Sequence, residues 1–129
     1  MREVLQESLG AVQPLHLATE DAARLAVVIE ELVVNLFEHA GLGKDGRMEL
    51  SLWCGANGVH LGLADNGPPF DPRTVSPTKT IPHRGGGAGL AIVRRWAEIV
   101  AYEQGPSLNR LSLIVKTEQR PRDGKFLIE

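Results

Sequence analysis

Apolar residues recur at helical spacing through Leu25, Ile29, Leu32 and Leu36, and Val27, Val33, Val34 and Phe37 widen the stripe until little of the circumference stays polar. This pattern predicts a long helix from Thr19 to about Ala40, covered on several sides. Thr19 is its expected N-cap, with Glu20 and Asp21 placing negative charge in the first turn, where the helix dipole favours it. The segment GLGKDG, Gly41 to Gly46, ends it with glycine and turn chemistry. Ahead of it, Val4 to Val12 carries a weaker pattern for a short helix, interrupted by Gly10 and Pro14.

The period then changes from helical to two. The runs RMELSLWC and VHLGLAD alternate, and Gly55-Ala56-Asn57-Gly58 joins them as an antiparallel hairpin whose first strand turns Met48, Leu50, Leu52 and Cys54 to one face. Helical spacing returns in LAIVRRWAEIVA through Leu90, Val93, Ala97 and Val100. Another alternating strand spans Asn109 to Glu118, with room for a short one around Ile99 to Glu103. Residues 119 to 129 read as a loose tail in which Phe126 to Ile128 has no settled role. The alternation of elements predicts an α/β (α+β) two-layer sandwich. It has about four or five strands in a mixed, mostly antiparallel sheet and about three helices on one face.

Two features disturb this core pattern. Glu31 and Asn35 stand four apart on one side of the long helix, on a flank with Arg24, Val28 and His39 that borders the apolar stripe. A carboxylate and an amide there lose free energy on desolvation unless they find partners; a solvated helix edge would account for them without any site. The second feature is a stretch of about twenty residues from Asn66 to Gly87, which holds five of the eight prolines and few large apolar residues. Structureless loops of that length inside a small domain are usually functional, and residues 72–86 are the expected lid over a site. It opens at Asp65-Asn66-Gly67 and closes on Gly85-Gly86-Gly87.

Composition narrows the choice. With 129 residues, 43% of them hydrophobic, the chain closes one core and reads as a single domain over 1–129. A net charge of −2 gives no general attraction to nucleic acid or anionic membrane. Cys54 is the one cysteine, so no internal disulfide forms, and the Cys and His spacing fits no zinc site. No signal-peptide core or apolar run of about 20 residues appears, so a soluble protein in a reducing cytoplasm is expected.

Each polar cluster has a chemistry it suits. Glycines opening a helix leave backbone N–H groups free and let a phosphate come close, although a turn before a surface helix explains them as readily. The glycines form neither a Walker A loop nor a dinucleotide fingerprint. Asp65 ends a strand, where a fixed carboxylate accepts a hydrogen bond from an amino group such as adenine's; alone, Asp65-Asn66-Gly67 reads first as a tight turn. The amide oxygen of Asn35 is a hard ligand suited to Mg²⁺, and Glu31, one turn away, is placed to orient a hydroxyl or water and take its proton. Lys79, His83 and Arg84 in the loop, like Arg94 and Arg95 on the helix, read as solvated charges, and Trp53 and Trp96 as core or edge packing.

Taken in order, EELVVN…HA, DNGPPFD and GGGAGLAIV resemble the N, G1 and G2 boxes of the GHKL ATP-binding superfamily, over Ala22 to about Val100. Within it the chain looks most like the small bacterial anti-sigma factor serine/threonine kinases. The bracket Asp65-x-Gly67-x-x-Phe70-Asp71 is similar to theirs rather than to that of sensor histidine kinases. The resemblance implies a Bergerat fold, ATP and Mg²⁺ as ligands, and a kinase acting on a small antagonist protein of anti-anti-sigma type. A sigma factor and a second copy of the chain are further implied partners. By position, Glu31 matches the general base, Asn35 the Mg²⁺ ligand, and His39-Ala40 the end of the N box. Asp65 matches the reader of the adenine amino group, and Gly67 the glycine beside the base. Gly87 and Gly89 match the phosphate-loop glycines, with Leu90 behind them. The family usually begins with a β-strand, for which Met1 to Gln13 leaves little room, and that departure bears on sigma-factor binding.

Overall fold

A computed structural model of the chain describes residues 2–38, 41–43, 45–74, 86–118 and 125–128, with the backbone alone at 86–88 and 125–128. The first helix, α1, spans Arg2–Gly10 and leads into a short 3₁₀ turn, Gln13–Leu15. Proline fits the start of that turn because its missing N–H would go unpaired there anyway. The long helix α2 spans Thr19–Glu38. Its first backbone bond runs from Ala22 N–H to Ala18 O at 2.8 Å, which makes Ala18 the capping position and Thr19 the first helical residue, a correction to the expected cap. Asp21 is consequently buried, at 2% exposure, and its carboxylate accepts the backbone N–H of Glu118 at 2.9 Å, tying the end of the last long strand to the start of α2.

The hairpin forms as the alternation requires: β1 (Met48–Gly55) and β2 (Gly58–Asp65) pair antiparallel from Met48↔Asp65 to Gly55↔Gly58. Helix α3 then covers Gly86–Trp96, and strand β3 follows at once over Ala97–Gln104. The expected continuation of helix to Val100 does not occur. Ala97 and Ile99 are covered while Glu98 and Val100 are exposed, and this alternation pairs with the next strand; a register shift between Ile99 and Ala101 leaves Val100 54% exposed. Strand β4 is Asn109–Lys116 and β5 is Lys125–Ile128, so the C-terminal segment whose role the sequence left open docks as an edge strand on β1. Among the described residues the sheet has five strands in the order β3-β4-β2-β1-β5, in line with the mostly antiparallel sheet of four or five strands expected, and every pairing is antiparallel, with no parallel pair of the kind a mixed sheet would hold.

One face of the sheet is apolar. Met48, Leu50, Leu52 and Cys54 of β1, Val59, Leu61 and Leu63 of β2, and Leu111, Leu113 and Val115 of β4 point into the core. They meet Leu25, Ile29, Leu32, Val33 and Leu36 of α2 and Val93 of α3, each worth about 1.5–3 kcal/mol when fully buried. The exposed Arg24–Glu118 ion pair at 2.9 Å is screened by water and adds little beside that core. Trp53 points to the opposite, open face at 40% exposure, its ring stacked 5.0 Å from that of His60; it is neither core nor edge packing, because odd positions of β1 face outward. Among the described residues no helix is long and apolar enough to cross a membrane.

Candidate nucleotide site

The two clusters predicted from the sequence settle at the C-terminal half of α2 and the ends of β2 and α3. The buried arc of α2 includes Val28 and Asn35, so the polar flank is not a solvated edge: Asn35 is 5% exposed and Glu31 is half-buried. The side-chain nitrogen of Asn35 has no hydrogen-bond partner among the described residues. A buried amide left unpaired is destabilising by about 1–3 kcal/mol, which makes it a place where a ligand belongs.

Glu31 faces the start of α3. A methyl group added at Gly89 would lie 2.0 Å from Glu31 Oε2 and 2.8 Å from its Cδ, so only glycine lets the carboxylate rest against this backbone. Gly86 begins the helix, placing Gly87 in its first turn, where N–H groups have no partner within the helix, while Gly89 stands where the intrahelical bonds begin. Leu90 is buried at 2% exposure directly behind them. Burial lifts Glu31 above the ordinary carboxylate range, and the negative charge of Glu30 adds to the shift. Replacing Gly89 by alanine should change stability by no more than about 1 kcal/mol, because the methyl group meets the free end of a flexible side chain and alanine favours helix. The same change should swing Glu31 off the helix start, which a crystal structure of the variant would reveal as a changed side-chain rotamer.

The second cluster lies at the ends of β2 and β4. Asp65, 6% exposed, accepts the N–H of Gly67 on Oδ1 at 2.9 Å, and Asn109 Nδ2 reaches the same oxygen at 3.3 Å and Gly67 O at 2.8 Å. Gly67 packs against Leu42, to whose Cδ1 an added methyl would come within 3.2 Å. Leu42 in turn donates its N–H to Leu36 O at 2.9 Å, next to Asn35, and Gly41 takes φ +74° to allow that return of the chain. Both clusters therefore adjoin the C-terminal half of α2, one through Glu31 and the start of α3, the other through Gly67 and Leu42. Among the described residues no hydrogen bond joins them directly.

Side chains to which the sequence assigned no role in the site complete the frame. Asn66 accepts Arg47 N–H at 2.7 Å and donates its own N–H to Arg47 O at 3.2 Å, pinning the α2–β1 connection beside Asp65. Tyr102 accepts the N–H of Phe70 at 2.9 Å; burial pushes its hydroxyl above the usual range, so it stays protonated at neutral pH. Arg73 grips Asp71 with bonds of 2.8 to 3.2 Å, and Arg94 donates to Pro72 O, so Arg94 is a brace between α3 and the loop rather than a free surface charge. Lys79, His83, Arg84, His39 and Ala40 lie outside the described residues. The signal available for Asn109 and Tyr102 was a polar residue at an inward position of an alternating strand.

Among the described residues no three His, Cys, Asp or Glu side chains cluster to enclose a metal. A cation here would therefore take most of its ligands from elsewhere. The donor set does suit magnesium, which is bound through few protein groups with water and phosphate oxygens completing the shell. Turning the Asn35 amide by half a turn presents its oxygen where the unpaired nitrogen now lies, with no change of shape. A separate cleft of about 380 Å³, lined by Val4, Glu7, Phe37, Met48 and Leu108 among others, contains none of the predicted site residues.

Comparison with known proteins bears on the fold and the family. The fold matches the histidine kinase domain of the blue-light activated histidine kinase EL346 from Erythrobacter litoralis, with TM-score 0.54 and 19% identity over 78% of this chain. The chain spans about half the length of that structure, 50%. No curated protein matches it. A family model described as Histidine kinase-like ATPase domain matches residues 1–115, which include α1 to α3 and all but the last residue of β4. Sequence over nearly its whole length and fold together show that the chain belongs to the histidine kinase-like ATPase domain family, an ATP-binding family.

Proposed function

We propose that the protein is a Mg²⁺-dependent kinase of the anti-sigma factor type. It would transfer the γ-phosphoryl group of ATP to a serine or threonine of a small antagonist protein in a partner-switching circuit. The observation that carries this reading is the seat of Glu31: a half-buried carboxylate of raised pKa, held against the glycine start of α3, is where a general base for a hydroxyl nucleophile belongs. The Asp65-x-Gly67-x-x-Phe70-Asp71 bracket supports the assignment to serine/threonine kinases.

The roles follow from the groups. Asp65 accepts the amino group of the base while Gly67 leaves space beside it. The free amides at the helix start, that of Gly87 among them, take the phosphate oxygens, Gly89 leaves room for them by lacking a Cβ, and Leu90 backs the turn. Asn35 would hold magnesium, which when bound supplies charge neutralisation at the phosphates. Glu31 orients the acceptor hydroxyl and takes its proton as the hydroxyl oxygen bonds to phosphorus and ADP departs. In phosphoryl transfer, positioning and electrostatics carry most of the rate enhancement, so this small set is sufficient.

A base must be deprotonated to act. Because burial raises the Glu31 pKa, the acid limb of kcat should fall at a higher pH than an unperturbed glutamate would give. Stability runs the opposite way, since a carboxyl group with raised pKa favours the folded state in mild acid and loses that contribution as pH rises through its folded pKa. A pH–rate profile beside pH-dependent melting checks both signs.

The experiment that tests the function is incubation with radiolabelled ATP, magnesium and small proteins encoded beside this chain. Acid-stable label on a serine or threonine is the expected result. Acid-labile label on a histidine would favour a histidine-kinase-type ATPase domain acting in trans, a reading supported by the fold match to a histidine kinase domain. ATP binding with no transfer would replace the kinase by a nucleotide-gated binding module. The working location proposed is the cytoplasm, and a second copy of the chain or a sigma factor remains a proposed partner.

A further inference from the structure

We infer that Asn109 is a positioning residue that aims Asp65 at the nucleobase and thereby sets the preference for a base carrying an exocyclic amino group. The inference rests on the reading of Asp65 as the base acceptor and adds a second residue to it. Asn109 lies opposite Asp65 in the β2–β4 register, both side chains turned to the covered face and each 6% exposed. Its carboxamide has one workable orientation. Nδ2 donates to Gly67 O at 2.8 Å and to Asp65 Oδ1 at 3.3 Å, whereas the turned amide would set its oxygen against both of those oxygens.

The consequence concerns which carboxylate oxygen remains. Oδ1 of Asp65 receives both donors, Gly67 N–H at 2.9 Å and Asn109 Nδ2. Among the described residues no donor reaches Oδ2. With one oxygen tethered from two sides, the carboxylate plane is fixed and Oδ2 is presented as an acceptor with no flexibility to turn away. A base offering an amino group completes it. A base offering a keto oxygen at the same place sets acceptor against acceptor, and such buried mismatches discriminate strongly. An amide at position 109 suits this role because it donates without charge and so does not neutralise Asp65 as a lysine or arginine would. The same Nδ2 holds Gly67 O, so carboxylate and loop move as one unit.

Calorimetric titration of ADP, GDP and inorganic tripolyphosphate, each with magnesium, tests this on the wild type, Asn109→Ala and the near-isosteric Asn109→Asp, with melting curves recorded for all three. The wild type should prefer ADP to GDP. In both variants ADP affinity should fall by about tenfold or more and the ADP:GDP ratio move toward one, while tripolyphosphate affinity stays within about twofold. A general loosening of the fold would lower all three ligands together and would overturn the inference, as would an unchanged ADP:GDP ratio in variants that melt cooperatively. Should Asn109→Ala not fold, Asn109→Asp keeps the packing and exchanges donor for acceptor, so its ratio decides. Failure of the wild type to bind ADP would remove the base-acceptor reading together with this one; wild-type ADP binding with an unmoved ratio in the variants would remove this one alone.

Discussion

Replacing Glu31 by glutamine is expected to lower phosphoryl transfer by about 10²–10⁴-fold, the usual contribution of a positioned general base. Glutamine keeps the length and shape that rest against Gly89, so the α2–α3 contact survives. It cannot take a proton. ATP affinity should remain within about twofold, and stability should hold or rise slightly, because the neutral amide escapes the desolvation that lifts the carboxyl pKa. Single-turnover rates and equilibrium ATP binding measured on the same preparation separate these effects. A rate that survives the substitution would take the base role from Glu31, whereas parallel loss of binding and rate would mean the side chain holds the nucleotide.

Asn35→Leu is expected to move stability and function in opposite directions. The Asn35 side chain is 5% exposed with an unpaired nitrogen, so a leucine of similar shape removes a buried unsatisfied group and should stabilise the fold by about 1 kcal/mol. The same change removes the amide proposed to hold magnesium and should weaken magnesium-dependent ATP binding by at least about a hundredfold. Chemical denaturation and ATP titration with and without magnesium check the two signs. A residue kept at the expense of the core is the pattern expected at a functional site, where local rules are broken for the ligand. If leucine destabilised the domain, Asn35 would be part of the packing; if binding with magnesium were untouched, the metal assignment would fall.

Much of this arrangement was readable along the chain, and the reasons are local. Helix α2 and the β1–β2 hairpin announced themselves by period, since one face of each is apolar and the other is not. Glu31 and Asn35 were conspicuous because polar groups bordering an apolar stripe need a reason. Asp65 was conspicuous because it ends a strand and opens the proline-rich loop. What the sequence could not convey depended on distant pairing. Residues 97–100 suit both helix and strand, and the choice of strand is made by the backbone of β4, which offers Val115 to Ala97 and Leu113 to Ile99. Asn109 acquires its meaning only from the register that sets it opposite Asp65, and Tyr102 from the fold that carries Phe70 beneath its hydroxyl. The docking of β5 on β1 is likewise a matter of sheet edge, which no short segment declares by itself.

For the proposed function to hold, Asn35, Asp65 and the start of α3 must address a single nucleotide. The most direct measurement is a crystal structure with magnesium and a non-hydrolysable ATP analogue. The predicted result has the Asn35 oxygen on the metal, Asp65 Oδ2 on the base amino group and phosphate oxygens at the first-turn amides of α3, all in one bound molecule. A nucleotide lodged elsewhere, or one touching Asp65 with its phosphates turned away from Asn35 and α3, would contradict it.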